Sequence, residues 1–331
     1  MKLGLVGTGW IVQRQLPQMS RRGIEVGAIA GTPRSAEKVD ALANEYGVEG
    51  RYTDYNEMIA EADIDTVYVG VPNALHVAVT TAALEAGKNV ICEKPMASNY
   101  RESKEVADLA RSKGLYLWEA VSTIYLPNFA KLKELLPRVG DVKVVSVNFS
   151  QYSSRYDAFQ RGEIQPAFDP AKAGGALMDL GLYNLHYILG LFGEPSAVRY
   201  QANVERGIDT SGIVTLDYDN FKAVSIAAKD CGAPLFCIIQ GNKGYLRQDT
   251  SPNVCGPITL HMNDGSEETF DENGFTEFER VWDHEFASFK ADVESGSTEH
   301  CYQLLEQSLL VSRIQTDARL TSGIRFPADE Q

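Results

Sequence analysis

Lys2-Leu3-Gly4-Leu5-Val6-Gly7-Thr8-Gly9-Trp10-Ile11 is the stretch that decides the fold. Lys2 to Val6 has the length and apolar character of a buried strand. Gly7-Thr8-Gly9 follows at once, and from Ile11 to Arg22 apolar residues recur at helical spacing. A strand, a glycine turn and a helix in that order can cradle a pyrophosphate. The glycines allow a tight turn and close backbone approach, while the helix N-terminus offers N–H donors and its positive dipole end. Val12 stands where a full three-glycine fingerprint has its last glycine. Two glycines alone make only a turn; the flanking strand and helix select nucleotide binding. Gly7, Thr8, Gly9, Trp10 and Ile11 are thus candidate cofactor contacts. Trp10 either covers the adenine or ribose side or is simply an exposed loop residue.

The same alternation continues outward. Strands are predicted at Ile24 to Ala30, Thr66 to Val71, Asn89 to Cys92 and Tyr116 to Glu119. Helices are predicted at Ser35 to Tyr46, Tyr55 to Ala60, Ala74 to Ala86 and Tyr100 to Lys113. Strands alternating with helices imply a parallel, doubly wound sheet. After Glu119 the rhythm changes. Ala130 to Leu136 is helical, Val142 to Gln151 alternates as a strand, and a long helix is expected from Gly175 to Leu191. Six strand-like runs then lie between Ala197 and Leu260, followed by helices at Phe275 to Glu294 and His300 to Thr321. Uninterrupted strands suggest an antiparallel sheet with one solvated or partner-covered face. The expected fold is α/β plus α+β. Residues 1–121 form an N-terminal Rossmann dinucleotide-binding domain. Residues 122–331 form a substrate-binding and oligomerisation domain with an open, mainly antiparallel sheet flanked by helices.

The end of the second strand bears on the cofactor. Ala30-Gly31-Thr32-Pro33-Arg34 lacks the acidic residue that commonly holds the ribose 2′-hydroxyl of NAD. Arg34 and Thr32 suit a 2′-phosphate, so NADP is preferred over NAD; the plainer reading makes Arg34 a solvated loop charge. Val71-Pro72-Asn73-Ala74-Leu75-His76 and Cys92-Glu93-Lys94-Pro95 follow the third and fourth predicted strands. Ligands of such sheets bind at the carboxyl ends of strands. Val71, Pro72, Asn73, His76, Glu93 and Lys94 therefore join the cofactor candidates, although Lys94 by spacing alone is also a charged loop residue and His76 a helix start.

These segments together resemble the Gfo/Idh/MocA oxidoreductase family. The likeness rests on Gly7-Thr8-Gly9-Trp10, Tyr52-Thr53-Asp54-Tyr55, Pro72-Asn73 with His76, Glu93-Lys94-Pro95, Trp118-Glu119-Ala120 and Gly174-Gly175-Ala176-Leu177-Met178-Asp179-Leu180-Gly181. It runs from Gly4 to about Phe192 and weakens beyond. The resemblance implies Lys94 and Tyr183 as a catalytic pair, with Asp179 and His76 supporting. Asp179, Tyr183 and His186 also share one face of a predicted helix, at i, i+4 and i+7. Tyr183 stands where the inositol-dehydrogenase branch has a histidine, as in the glucose-fructose oxidoreductase and dimeric dihydrodiol dehydrogenase branches. A free tyrosine titrates near 10, and a neighbouring ammonium favours its phenolate. The implied reaction is NAD(P)-linked interconversion of a secondary alcohol and its carbonyl on a sugar, polyol or dihydrodiol; which of Lys94 and Tyr183 is the immediate proton donor stays open. The alternative is a non-catalytic nucleotide-binding sensor. Ile124-Tyr125-Leu126-Pro127 lacks the arginine that related sugar and dihydrodiol enzymes often carry there. A substrate-side loop is expected at Ser153 to Asp169, with Arg155, Tyr156 and Phe159 as candidate contacts.

Composition narrows the classes. The 331 residues carry a formal charge of -14, which argues against nucleic acid and anionic membranes. Five cysteines with no CxxC fit a reducing compartment and not a disulfide framework. No leader precedes the first strand and no apolar run reaches membrane-spanning length, so a cytoplasmic enzyme is expected. His261, His284 and His300 show no metal-ligand spacing, and no metal is expected. Apolar residues on both faces of Val224 to Ala228 and Phe236 to Ile239 point to a homodimer.

Overall fold

A computed structural model describes residues 1–274 and 280–330. The chain forms two compact units, Met1–Ala120 with Glu279–Leu309, and Val121–Phe278 with Leu310–Gln331, each in its described residues.

The first unit follows the alternating pattern. Its elements are β1 (Lys2–Val6), α1 (Trp10–Arg21), β2 (Glu25–Ala30), α2 (Ala36–Tyr46), β3 (Gly50–Tyr52), α3 (Tyr55–Glu61), β4 (Thr66–Val69), α4 (His76–Glu85), β5 (Asn89–Glu93), α5 (Tyr100–Lys113) and β6 (Leu117–Ala120). All six strands are parallel, in the order β3-β2-β1-β4-β5-β6. The order reverses between β1 and β4, and this switch point opens a crevice at the carboxyl ends of the strands. Leu3, Leu5, Val67, Val69, Val90 and Cys92 are buried, as expected of strands covered on both faces. Each buried leucine contributes roughly 1.5–3 kcal/mol relative to exposure. The strand read from Thr66 to Val71 stops at Val69, which frees Gly70 and Val71 for the crevice. β3 escaped the sequence reading because three residues are too short to show a period.

The second unit holds α6 (Pro127–Leu135), β7 (Val142–Ser150), α7 (Tyr156–Gln160), α8 (Leu182–Phe192), β8 (Ala197–Glu205), β9 (Ile208–Asp217), β10 (Lys222–Ala228), β11 (Phe236–Gly241), β12 (Gly244–Gln248), β13 (Ile258–Met262) and β14 (Glu267–Phe270). Their order is β14-β13-β12-β11-β7-β10-β9-β8. β7 and β10 pair in parallel, and every other neighbouring pair is antiparallel. Val145, Val147, Ala223, Ser225, Ala227, Cys237 and Ile239 are buried on one face. Asn184 of α8 ties the helix to that face, donating to Ser225 Oγ at 3.0 Å and the Ile226 carbonyl at 2.8 Å. The opposite face shows Val144, Ile213 and Tyr245 exposed, with Val224, Ile226 and Ile238 half-buried. β14 is an additional, mostly exposed edge strand whose Glu267-Glu268 start disguised it in the sequence.

The last two helices are α9 (Val281–Ser295) and α10 (Glu299–Thr321). Of the helix expected at Phe275 to Glu294, the first five positions lie outside the described residues. α9 belongs to the first unit, as do residues of α10 up to Leu309, a return that one boundary along the sequence does not express. Trp118 Nε1 of β6 donates to Asp292 of α9 at 2.8 Å, and the Trp118 ring lies against Phe289 at 5.3 Å. Among the described residues no helix is long and apolar enough to cross a membrane.

Candidate functional site

The crevice edge of the first unit starts at Gly7. Its φ is +121°, and a Cβ there would stand 2.3 Å from the Gly70 carbonyl oxygen. Only glycine fits such an approach. Val12 replaces the third glycine because β4 is followed by Gly70, where an added Cβ would lie 2.6 Å from Val12 Cγ2. Space absent on the helix is therefore supplied by the neighbouring strand end. α1 begins after Gly9 with no side-chain cap and no acid in its first turn, which leaves its N–H donors suited to phosphate. Trp10 is 58% exposed, but its ring meets Trp282 edge-on at 6.4 Å and carries the Arg14 guanidinium at 5.3 Å. Thr8 accepts at its carbonyl from Gln13 Nε2 at 3.1 Å, and Ile11 is half-buried. After β2, Ser35 Oγ accepts from Thr32 N at 2.8 Å and fixes the Thr32-Pro33-Arg34 turn, with Arg34 exposed. Ser35 was not a sequence candidate; its position three residues after Thr32 is the signature of a capping turn.

His76 stands between the two loops of this edge. It is 1% exposed, and its Nδ1 and Nε2 lie 2.8 Å from the Pro95 carbonyl and 2.9 Å from the Val71 carbonyl. Both partners are carbonyl acceptors, so the neutral ring donates to one of them and packs against the other, between the Val71-Pro72-Asn73 loop and the Glu93-Lys94-Pro95 loop. Burial holds the His76 pKa below its ordinary value, against the two carbonyls, which raise it. Buried between the two carbonyls, this histidine orders the edge of the crevice. The Lys94–Pro95 bond is cis. Glu119 accepts from Met96 N at 2.9 Å and so anchors the far side of the same loop.

Glu93 turns inward. Tyr68 of β4 donates to it at 2.5 Å, so this strand tyrosine has a polar partner besides its packing. Burial raises the Glu93 pKa, and the Tyr68 hydroxyl and the Lys94 charge partly offset it. Glu285 of α9 is 1% exposed, and neither carboxyl oxygen has a hydrogen-bond partner among the described residues. Burial first, and the Glu93 charge second, push Glu285 well above the carboxylate range. Gln15 of α1 is also fully buried and lies near enough to Glu93 to lower its pKa, yet its amide makes no hydrogen bond of ordinary geometry. No local pattern marked Glu285 or Gln15, because each sits on a helix face that reads as core.

The second unit brings Asp179 and Tyr183 to one partly open patch and takes His186 inside. The expected helix begins with a π turn at Leu177–Gly181 and continues as α8. Asp209 holds the start of this turn: it accepts from Leu177 N at 2.6 Å and from the Tyr200 hydroxyl at 2.7 Å. Gly175 has φ +108°, and a Cβ on it would come within 2.1 Å of Asp209 Oδ1. The Asp179 side chain is 39% exposed and pairs with Lys229 Nζ at 2.7 Å. Tyr183 is half-buried against Phe149, Ala176, Leu180 and Ala227, whereas His186 is fully buried. In the loop before this helix, Phe159 is fully buried and stacks on Phe168 at 4.9 Å, so it is a core residue and not a surface contact. Tyr156 donates to Glu205 at 2.7 Å, which pushes its pKa up to about 12; Arg155 is exposed. Among the described residues no group of three or more His, Cys, Asp or Glu side chains is placed to hold a metal.

Comparison with known proteins matches residues 1–121 to the Gfo/Idh/MocA oxidoreductase family model with an NAD-binding Rossmann fold. Residues 129–247 match the family's C-terminal domain. The chain is 34% identical to scyllo-inositol 2-dehydrogenase (NADP(+)) of Bacillus subtilis, across 100% of this chain and 99% of that one. It is 28% identical to trans-1,2-dihydrobenzene-1,2-diol dehydrogenase of Oryctolagus cuniculus, across 99% and 98%. The solved structure of a levoglucosan dehydrogenase with NADH and levoglucosan aligns with TM-score 0.84 at 20% identity, over 100% of this chain and 98% of that one.

Proposed function

This chain belongs to the Gfo/Idh/MocA oxidoreductase family, and we propose that it interconverts a secondary alcohol and its carbonyl on a polyol, sugar or dihydrodiol, with NADP preferred over NAD. The carrying observation is the crevice edge of the first unit. There Gly7 lets β1 approach the Gly70 backbone, Gly9 before α1 faces open space, and the Lys94 loop is fastened on two sides by His76 and Glu119. Full-length similarity to an NADP-linked inositol dehydrogenase puts cyclic polyols first among substrates. A dinucleotide would be held by Gly7, Thr8, Gly9, Trp10 and Ile11 at the pyrophosphate and its flank, by Thr32 and Arg34 at the ribose, and by Val71, Pro72, Asn73 and Lys94 along the nicotinamide side, with the inward-turned Glu93 supporting Lys94 from within.

When bound, the nicotinamide supplies or takes the hydride. The protein manages the proton. In oxidation, Tyr183 takes the substrate hydroxyl proton at its phenolic oxygen; in reduction it returns that proton. Lys94 donates a hydrogen bond to the same substrate oxygen, stabilises developing alkoxide charge and favours the phenolate. Asp179 accepts from a substrate hydroxyl. His76 acts through the backbone it holds.

The test is turnover of inositols, aldoses and trans-dihydrodiols with each cofactor. NADP-linked activity on at least one polyol is the expected result. Tight cofactor binding with no turnover anywhere on the panel would replace the enzyme with a sensor. Arg34→Ala should raise KM for NADP about 10- to 100-fold while leaving NAD nearly unchanged, the value of a charge-assisted contact to the 2′-phosphate. Equal effects on both cofactors would make Arg34 a mere loop charge.

The protein is proposed to be a cytoplasmic homodimer joined through the open sheet face. Ile226 and Ile213 are in-register neighbours there, beside Val224 and Ile238. Exposed apolar patches of this kind mark association surfaces. Ile226→Asp should convert a sedimenting dimer to a folded monomer at micromolar concentration. A wild-type protein already monomeric there removes the dimer.

A further inference from the structure

Lys229 lies just beyond the end of β10, where its backbone N donates to the Thr210 carbonyl at 2.8 Å. Its side chain is only 4% exposed. An ammonium withdrawn from water is costly unless it is paired and hydrogen-bonded. Here the Nζ donates to Asp179 Oδ2 at 2.7 Å and to the Ala167 carbonyl at 3.1 Å, and it sits 4.9 Å from the centre of the Phe168 ring. Other nearby carboxylates make their hydrogen bonds to other groups. Asp209 takes Tyr200 and Leu177 N, and Asp230 takes the Thr210 and Ser211 hydroxyls at 2.7 and 2.8 Å. The buried cation is thus held on three sides; its hydrogen-bonded ion pair is with Asp179, and its field also reaches Asp209. The carboxylate of Asp179 is 39% exposed, ten times more open than the lysine behind it.

We infer that Lys229 is a positioning residue that fixes the Asp179 carboxylate as an acceptor for a hydroxyl of a neutral polyol substrate. This rests on the proposed polyol chemistry and narrows it. A ligand approaching the pair meets the carboxylate, since the ammonium is behind it. A neutral ring with adjacent hydroxyls donates to that carboxylate. A sugar acid brings its own carboxylate against it and is disfavoured. Asp179 stands one turn before Tyr183, so a hydroxyl held there also sets which neighbouring carbon is presented to the tyrosine.

The experiment compares wild type, Lys229→Met, Lys229→Arg and Asp179→Asn on scyllo-inositol, myo-inositol and glucuronate, with NADP dissociation constants and melting curves alongside. For the best neutral polyol, Lys229→Met should raise KM about tenfold or more with kcat within a few-fold, the loss of one charge-assisted contact. Lys229→Arg should recover most of that loss, and NADP binding should be unchanged. Asp179→Asn combined with Lys229→Met should cost less than the sum of the two single changes, because the residues act as one unit. Should the methionine variant not fold, Lys229→Gln keeps a donor for the Ala167 carbonyl and carries the same expected KM rise. A folded variant with wild-type KM, a loss confined to kcat, an arginine variant no better than methionine, or additive losses overturns the inference while leaving the polyol reading intact. Faster wild-type turnover of glucuronate than of either inositol also overturns it. Wild type inert on every polyol fails the polyol reading itself, and this inference with it.

Discussion

Lys94→Ala lowers kcat/KM for the best polyol by about three orders of magnitude, within the range lost when a positioned acid–base group is removed. The side chain leaves the carboxyl end of β5, the strand end next to the switch-point strands, on a backbone that the rest of the protein holds. His76 grips Pro95, and Glu119 grips Met96. Alanine leaves both grips in place, because each acts on main-chain atoms. NADP affinity and melting temperature therefore stay close to wild type while turnover collapses. Tyr183→Phe removes the phenolic proton carrier and costs about a hundredfold or more. If the two serve one proton transfer, the double variant is scarcely slower than Lys94→Ala alone. Steady-state rates for the four proteins on one substrate check this. Full activity in Lys94→Ala removes the mechanism, and multiplicative losses separate the two roles.

Glu285→Gln makes the protein more stable, by a margin that grows with pH. Glu285 is buried without a hydrogen-bond partner among the described residues, and burial pushes its pKa well above the ordinary 4.5. The groups facing it are the Glu93 carboxyl and the Tyr68 hydroxyl, with the buried Gln15 amide beside Glu93. Below the ordinary carboxyl value, Glu285 holds its proton in both folded and unfolded chains. Above it, the unfolded chain releases the proton and the folded chain keeps it. The folded state then binds more protons, so wild-type stability declines as pH rises towards the folded-state pKa. The slope for one such group is about 1.4 kcal/mol per pH unit. Glutamine copies the shape and the donor of the neutral acid and has no proton to lose, so its stability lacks this decline. Urea unfolding of both proteins between about pH 4 and pH 8 should show curves that nearly meet at the acid end and diverge above it. Parallel curves, or a glutamine variant weaker at pH 8, would mean that Glu285 is ionised in the fold. Glutamine mimics the protonated acid that burial favours, so activity at neutral pH should stay within about threefold, a change under 1 kcal/mol.

The first sheet was legible because its signals are local. β-branched runs, helical spacing and terminal glycines such as Gly47 each act within a few residues, and Gly47 does end α2 with φ +68°. Strand β14 was hidden because an edge strand with exposed glutamates lacks the apolar face that reveals others. In the second unit, the spacing of Asp179, Tyr183 and His186 suggested one shared face. The π turn and the packing of α8 leave the first two partly open and bury the third. Periodicity states which residues share a side of a helix. It does not state which part of that side meets the core.

The sequence by itself determined the doubly wound first unit and the glycine turn at Gly7, and it marked Lys94, Asp179 and Tyr183 as candidates. The first two are carried by local spacing, and the last three by motifs that resemble the Gfo/Idh/MocA family. Tertiary structure alone decided that His76 sits between two loop carbonyls, that Gly70 makes room for Val12, that Glu285 is buried within the field of Glu93, and that Asp179 is held by Lys229, 50 residues away. These pairings join segments that share no local period. They exist because packing places their side chains together out of water, where each charge or polar atom must find a partner or change its protonation.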